Sequence, residues 1–179
     1  MLTADNAVFV LIDIQGKLAT LMHNKENLFK NIRTMIEGAK ILGIPVIWNE
    51  QIPEKLGATS PEIAEKLEGM EPLAKNTFSC CGNGEFMEQL RSTGRKQALI
   101  AGIEAHVCVY QTAMDLLREG YEVHLLGDAV SSRFESSYQI GLTRMRDEGA
   151  KLTCVEMALF EMLQLAQGDK FKQVIKIVK

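Results

Sequence analysis

The sequence has few of the features that mark membrane, nucleic-acid-binding or disulfide-stabilised proteins. No apolar run approaches the ~18 residues that a membrane helix needs. The 20 basic and 23 acidic residues are well mixed, with a net charge of −3, so no basic stripe indicates nucleic acid or a membrane surface as a partner. The four cysteines have the spacing of neither a disulfide framework nor a zinc ribbon.

Two further scarcities bear on the compartment and the core. The N-terminus lacks the basic-then-apolar pattern of a signal peptide, so we expect a cytoplasmic protein with reduced thiols. Aromatic residues make up only 6% of a chain that is 46% hydrophobic, so the core is expected to be mainly aliphatic. A length of 179 residues fits one domain, spanning 1–179.

Apolar runs alternate with helical patterns along the whole chain. Strands are predicted at 7–13, 44–50, 96–102, 121–128 and 150–156, and the short stretch "EPLAKNT" is either a strand or an extended loop. Helices are predicted at 27–43, 60–69, 83–94, 105–120, 135–149, about 156–167 and 170–178. This pattern predicts an α/β protein with three αβα layers and a six-stranded, doubly wound parallel sheet. The chain is too short for a closed eight-stranded barrel.

Three residues that follow strands are candidates for chemistry, because such sheets bind ligands beyond the strands' carboxyl ends. Asp13 ends the first strand, Lys75 follows the short third one, and Cys108 follows the strand 96–102 and a turn. A thiol in the first turn of a helix meets N–H groups and the positive end of the helix dipole, which favour thiolate. The alternatives are a cap or ion pair for Asp13, a solvated Lys75 and a buried structural Cys108.

The three histidines and the remaining three cysteines are expected to be structural. They are His23, His106, His124, Cys80, Cys81 and Cys154. Positions two apart on a helix do not face each other, so His106 is not expected to pair with Cys108.

Two other α/β enzyme classes are excluded by the residues after the first strand. A Rossmann dehydrogenase needs G-x-G-x-x-G there, and only Gly16 is present. A phosphatase of the haloacid dehalogenase type needs a second Asp two residues after Asp13, where Gln15 stands.

Asp13, Lys75 and Cys108 together resemble the triad of the isochorismatase-like cysteine hydrolases, which include nicotinamidases and N-carbamoylsarcosine amidase. The stretches that carry the resemblance are "FVLIDIQGK", "PLAKNTFS", "LIAGIEAHVCV" and "HLLGDAVSSR". "NEQIPEKLGATSPEI" with "GIEAHVC" most resembles the isochorismatase-domain-containing branch, whose physiological substrates are unsettled. The resemblance implies a Rossmann-like topology and a single hydrolase domain.

The resemblance also implies a mechanism and the residues that carry it. Cys108 attacks a carbonyl of a small amide or carbamoyl compound and forms a thioester. Asp13 takes the thiol proton and later gives it to the leaving group. Lys75 stabilises the Cys108 thiolate and the Asp13 carboxylate. Family members carry a cis peptide that maps to Ile103–Glu104. It would aim the N–H groups of Glu104 and Cys108 at one point as an oxyanion hole.

Departures from the family pattern limit the substrate. Nicotinamidases carry an Asp and two His metal ligands after the second strand, whereas "WNEQIPEKLG" contains no histidine, so we expect no metal and no cofactor. Isochorismatases that cleave a vinyl ether lack the cysteine, so Cys108 argues against isochorismate. Leu18 stands where the family often has Phe. Candidate substrate contacts are Gln15, Leu18, Asn49, Gln51 and Phe78, although Asn49 and Gln51 could instead satisfy loop backbone.

Two expectations concern partners. A small-molecule substrate and a homo-oligomer are expected, the latter because family members commonly assemble and "KFKQVIKIVK" offers an apolar stripe. The alternative to an enzyme is a non-catalytic binding or scaffold protein on the same fold.

Overall fold

A six-stranded parallel sheet forms the centre of the computed structural model, which describes residues 1–179. The strands are β1 (Ala7–Ile12), β2 (Val46–Gln51), β3 (Leu73–Lys75), β4 (Gln97–Ile103), β5 (Glu122–Ser131) and β6 (Lys151–Thr153). Their order is β3-β2-β1-β4-β5-β6, so the order reverses between β1 and β4. The predicted α/β fold with a doubly wound six-stranded sheet is confirmed.

Nine α-helices connect or flank the strands. They are α1 (Gly16–Thr20), α2 (Lys25–Leu42), α3 (Pro53–Leu56), α4 (Pro61–Ala64), α5 (Gly84–Ser92), α6 (Tyr110–Arg118), α7 (Glu135–Asp147), α8 (Val155–Leu163) and α9 (Gly168–Val178). α2, α8 and α9 contribute to the core on one face of the sheet, and α5, α6 and α7 to the core on the other. No helix is long and apolar enough to cross a membrane.

The central strand β1 is apolar at every position because both of its faces are buried. Phe9 and Leu11 face the core under α2, whereas Val8, Val10 and Ile12 face the opposite core. All five are fully buried. A parallel strand covered on both faces has no solvent side, so the alternation of a one-sided strand is absent.

The chain between β4 and α6 differs from the prediction of one helix over 105–120. A π-helical turn, Ala105–Val109, precedes α6. Such turns are often found at functional sites. Just before it, Gly102 has φ +135°, and a Cβ there would lie 2.1 Å from the Ile12 carbonyl oxygen. Glycine therefore allows the end of β4 to lie against the end of β1 at the switch point.

Two other elements also depart from expectation. The stretch 51–59, which lies between a predicted strand and a predicted helix, contains the short helix α3, and β5 continues three residues past its predicted end, to Ser131. The apolar stripe of α9 is covered in part within the chain: Val174 is fully buried, Ile177 and Val178 are partly buried against the core, and Phe171 and Ile175 are half-buried. α9 packs on α2, and the expectation that a monomer does not fully cover this stripe stays a prediction.

Candidate active site

Asp13 and Lys75 form a buried ion pair at the carboxyl ends of β1 and β3. Lys75 Nζ lies 2.8 Å from Asp13 Oδ2, and the two side chains are 0% and 4% exposed. The pair spans β2, which separates the two strands in the sheet. Removing two charges from water is unfavourable unless each finds close partners, and the remaining contacts of Lys75 supply them.

The Lys75 ammonium is surrounded by oxygen acceptors. Besides Asp13, it donates to Gln51 Oε1 at 2.6 Å and to the carbonyl oxygens of Thr77 and Phe78, both at 3.2 Å. An ammonium has three N–H donors, so four acceptors use it completely. Lys75 is therefore a fixed positive charge beside Asp13 and has no donor left for another molecule.

Asp13 has one satisfied and one unsatisfied carboxylate oxygen. Oδ2 accepts from Lys75, whereas Oδ1 is buried without a hydrogen-bond partner. Burial raises the pKa of Asp13 above its ordinary value, although the positive charge and hydrogen bond of Lys75 oppose that rise. The backbone of Asp13 has φ +56°, a left-handed conformation uncommon for residues other than glycine. Such conformations are found disproportionately at functional sites.

Cys108 lies close enough to Asp13 for each side chain to affect the pKa of the other. The thiol is 8% exposed, and burial raises its pKa to about 12, with the Asp13 carboxylate raising it further and Lys75 lowering it. The helix end and Lys75 are predicted to favour the thiolate, and Lys75 does lower the pKa of Cys108, but burial raises it by more. Burial and a neighbouring anion outweigh the cation, so the resting pair is a thiol beside a carboxylate.

A small cavity brings these groups together. It has a volume of about 120 Å³ and is lined by Asp13, Leu18, Gln51, Leu56, Phe78, Ile103, Glu104, Val107 and Cys108. Larger cavities elsewhere on the chain do not contain the thiol. The arrangement presents a thiol and an adjacent carboxyl group to a mainly apolar space.

The candidate substrate contacts separate into two groups. Leu18, Gln51 and Phe78 line the cavity. Gln15 and Asn49 do not, because they are fully buried and hydrogen-bond the backbone. The Gln15 amide accepts a hydrogen bond from the Gln51 backbone N–H and donates one to the Gly57 carbonyl oxygen. Gln15 is therefore not part of the cavity wall.

Leu56 and Val107 also line the cavity, and the sequence did not single them out. Leu56 belongs to α3, which packs so closely on Gly16 that a Cβ there would lie 2.0 Å from the Leu56 carbonyl oxygen. The glycine after "LIDIQ" was the available signal that another segment of backbone passes this point. Val107 lies on the π-helical turn, one residue before Cys108.

Glu104 has a partner that sequence reasoning missed. Its carboxylate is mostly buried and accepts from the Arg133 backbone N–H at 3.0 Å and from Arg133 Nε at 3.2 and 3.3 Å. The peptide bond between Ile103 and Glu104 is cis. Among the backbone hydrogen bonds outside regular elements, none has the Glu104 N–H as its donor.

The histidines lie away from the cavity. His106 Nδ1 is 2.9 Å from Ser132 Oγ, His124 is buried against Glu122, and His23 borders a different cavity. No three His, Cys, Asp or Glu side chains gather where they could hold a metal ion. Cys80 is buried outside the cavity, and burial raises the pKa of its thiol.

The fold and site define a doubly wound α/β protein whose topological switch point holds a thiol, a carboxylate and a buried ammonium. Residues 7–157 match the family model described as the isochorismatase domain. The chain belongs to this isochorismatase family and has its hydrolase fold.

Individual relatives agree with this assignment. Isochorismatase domain-containing protein 2 from Danio rerio is 35% identical over 178 residues, covering 99% of this chain and 89% of that protein. The secreted isochorismatase effector Isc1 from Phytophthora sojae is 35% identical over 180 residues, covering 97% of this chain and 85% of that protein. The structure of MAR1 ribonuclease from Caenorhabditis elegans has a TM-score of 0.93 and 34% identity, covering 99% of this chain and 91% of that one.

A more distant structure is similar in fold. It is the YcaC gene product of Escherichia coli, described as an octameric hydrolase of unknown specificity. It has a TM-score of 0.92 and 23% identity, and covers 98% of this chain and 88% of that one.

Proposed function

We propose that the protein is a cysteine hydrolase that cleaves a C–N bond of a small amide or carbamoyl compound. Cys108 is the nucleophile, Asp13 the general base and acid, and Lys75 the fixed charge that orients Asp13. The observation that carries the proposal is the unpaired, buried Oδ1 of Asp13 beside the Cys108 thiol. A buried acceptor without a donor is unfavourable, and a neighbouring thiol that must lose its proton to become a nucleophile can supply that donor.

The first step is proton transfer coupled to attack. The Cys108 thiol gives its proton to Asp13 Oδ1, and Sγ forms a bond to the substrate carbonyl carbon. The negative charge leaves the carboxylate and passes through sulfur to the carbonyl oxygen, so the net charge of the site does not change. Lys75, held by four acceptors, does not move during this transfer. Preorganised charge of this kind requires little reorganisation during the reaction.

The later steps return the proton. The tetrahedral oxyanion accepts from the backbone N–H groups of Glu104 and Cys108. Asp13 then protonates the leaving nitrogen as the C–N bond breaks, which leaves an acyl thioester on Cys108. A water then gives one proton to Asp13 and attacks the thioester carbon. The C–S bond breaks, Asp13 returns the proton to Sγ, and the acid product leaves. The raised pKa of Asp13 suits a group that must both take and give a proton.

Two alternatives make different demands on the site. A scaffold protein has no use for a thiol beside a buried carboxylate oxygen that lacks a hydrogen-bond donor. A ribonuclease, the activity in the name of one relative, must accept a polyanion. The net charge of −3 and a cavity of about 120 Å³ favour a small, uncharged molecule instead.

The test is a substrate panel with matched variants. Small amides, carbamoyl compounds, esters and an RNA oligonucleotide are incubated with wild type, Cys108→Ala and Cys154→Ala. We expect hydrolysis of a small carbonyl compound that Cys108→Ala abolishes and Cys154→Ala retains. Turnover that survives Cys108→Ala, or RNA cleavage as the only activity, would contradict the proposal.

We also propose a homo-oligomer in the cytoplasm. The more distant octameric hydrolase supports assembly, and exposed apolar side chains such as Phe134 and Ile140, 64% and 60% exposed, offer surface for it. A sedimentation mass equal to the 19.9 kDa monomer would contradict assembly. Cell fractionation tests the location, since one relative is named as secreted.

A further inference from the structure

We infer that the acyl part of the substrate is uncharged, aliphatic and no larger than about five non-hydrogen atoms. The inference rests on the proposed function and concerns the cavity beside Cys108. Its side walls are Leu18, Leu56, Phe78, Ile103 and Val107, which are all hydrophobic.

The size limit follows from the volume. A cavity of about 150 Å³ is known to hold benzene, which has six non-hydrogen atoms, so a cavity of about 120 Å³ holds about five. Typical sites for drug-sized ligands are about 300–1,000 Å³. An isobutyryl group, with four carbons and one oxygen, reaches the limit, and a phenylalkyl group exceeds it.

The charge limit follows from the pairing of the charged residues at the cavity. Asp13 is bound by Lys75 at 2.8 Å, and Glu104 is bound by Arg133 through the backbone N–H and Nε. The ammonium of Lys75 has no free donor. A charged acyl group would lose its water shell, and no net opposite charge at the cavity would compensate, because each carboxylate there already has a cation as its partner.

The leaving group is less restricted, because the wall is open at one side. Phe78 and Leu56 are 55% and 39% exposed, so they form the rim of the cavity and not its floor. Leaving nitrogen substituents that extend past this rim reach solvent. Selectivity is therefore expected on the acyl side of the bond.

The experiment is an acylation series with 4-nitrophenyl esters that share one leaving group. The acyl groups are acetyl, isobutyryl, 4-phenylbutyryl, the anionic hemisuccinyl and the cationic dimethylglycyl. The burst of 4-nitrophenolate gives each rate, which is divided by the rate with free N-acetylcysteine. Intact-mass and peptide analysis identify the acylated cysteine.

We expect the normalised rate to rise about fourfold for each buried carbon from acetyl to isobutyryl. It should fall at least about 100-fold for both charged groups and for the phenylbutyryl group. Leu18→Ala should raise the phenylbutyryl rate about tenfold, whereas Leu165→Ala, at an exposed position outside the cavity, should not change it.

Two outcomes overturn the inference in distinguishable ways. Rapid acylation of Cys108 by a charged ester contradicts the inference and leaves the proposed function intact. Acylation of Cys108 by none of the esters contradicts the proposed function itself.

Discussion

Replacing Lys75 with methionine removes the only cation that contacts Asp13 and keeps a side chain of similar length. In the variant, Asp13 becomes a buried carboxylate without a partner, and Gln51 Oε1 and the carbonyl oxygens of Thr77 and Phe78 lose a donor. Breaking a buried ion pair from one side costs about 3–5 kcal/mol. Since small domains have about 5–15 kcal/mol of stability, we expect a folded but strongly destabilised variant.

The pH dependence of the stability lost in Lys75→Met identifies the unpaired Asp13 carboxylate as its cause. The folded state already holds the Asp13 proton more tightly than the unfolded chain, because burial raises its pKa above the ordinary value of about 3.9. The associated stability is fully present below that value and is lost as the pH rises through the folded pKa. Without Lys75 the folded pKa rises further, so Lys75→Met should be closer to wild type at pH 5 than at pH 8.

Urea denaturation of wild type, Lys75→Met, Asp13→Asn and the double variant measures these terms. We expect the double variant to lose less than the sum of the single losses, by about 0.5–3 kcal/mol, since it contains neither unpaired charge. Additive losses, or a Lys75→Met deficit that does not change with pH, would refute the description of the pair as mutually dependent.

Three other predictions concern reactivity. Asp13→Asn should speed iodoacetamide labelling of Cys108 at pH 8.5 about tenfold or more, because the carboxylate is one cause of the pKa of about 12. The same change should slow hydrolysis about 10²- to 10⁴-fold, because it removes the general base. Slower labelling of Cys108 in this variant, measured by peptide mass spectrometry, would contradict the conclusion that Asp13 raises the pKa of the thiol. Arg133→Ala leaves the Glu104 carboxylate without its cation, and that negative charge raises the pKa of Cys108 further. The pH optimum of hydrolysis should therefore move upward, and Arg133→Lys should move it part of the way back. An unchanged pH profile would assign Arg133 no influence on the thiol. Activity should survive prolonged EDTA treatment, and loss restored by zinc, iron or manganese would reopen a metal mechanism.

The sheet was predictable because its signals are local. The apolar run ending in Asp13 and the glycine before Cys108 each mark a strand end, and parallel strand ends meet at one edge of the sheet. The state of the thiol was not predictable from position in the chain. It depends on how completely Val107 and its neighbours bury Cys108 and on the distance to Asp13, which are properties of tertiary packing.

The Glu104–Arg133 contact shows the same limit. Arg133 follows β5, 29 residues after Glu104, and no spacing rule connects them. The pair forms because β4 and β5 are neighbours and because β5 extends to Ser131, beyond its predicted end. Gln15 is the converse case: its place after β1 indicated a substrate contact, yet the loop that ends at Gly57 occupies its amide.

A rapid-quench experiment with 4-nitrophenyl isobutyrate tests the central claim most directly. Wild-type protein is stopped in acid within the burst, digested and examined by mass spectrometry for the peptide that contains Cys108. The proposed mechanism predicts that this peptide carries the isobutyryl mass during turnover, that the adduct decays as the acid product appears, and that Cys108→Ala yields neither adduct nor product. Steady turnover with an unmodified Cys108 peptide, or undiminished turnover in Cys108→Ala, would contradict a thioester mechanism at this site.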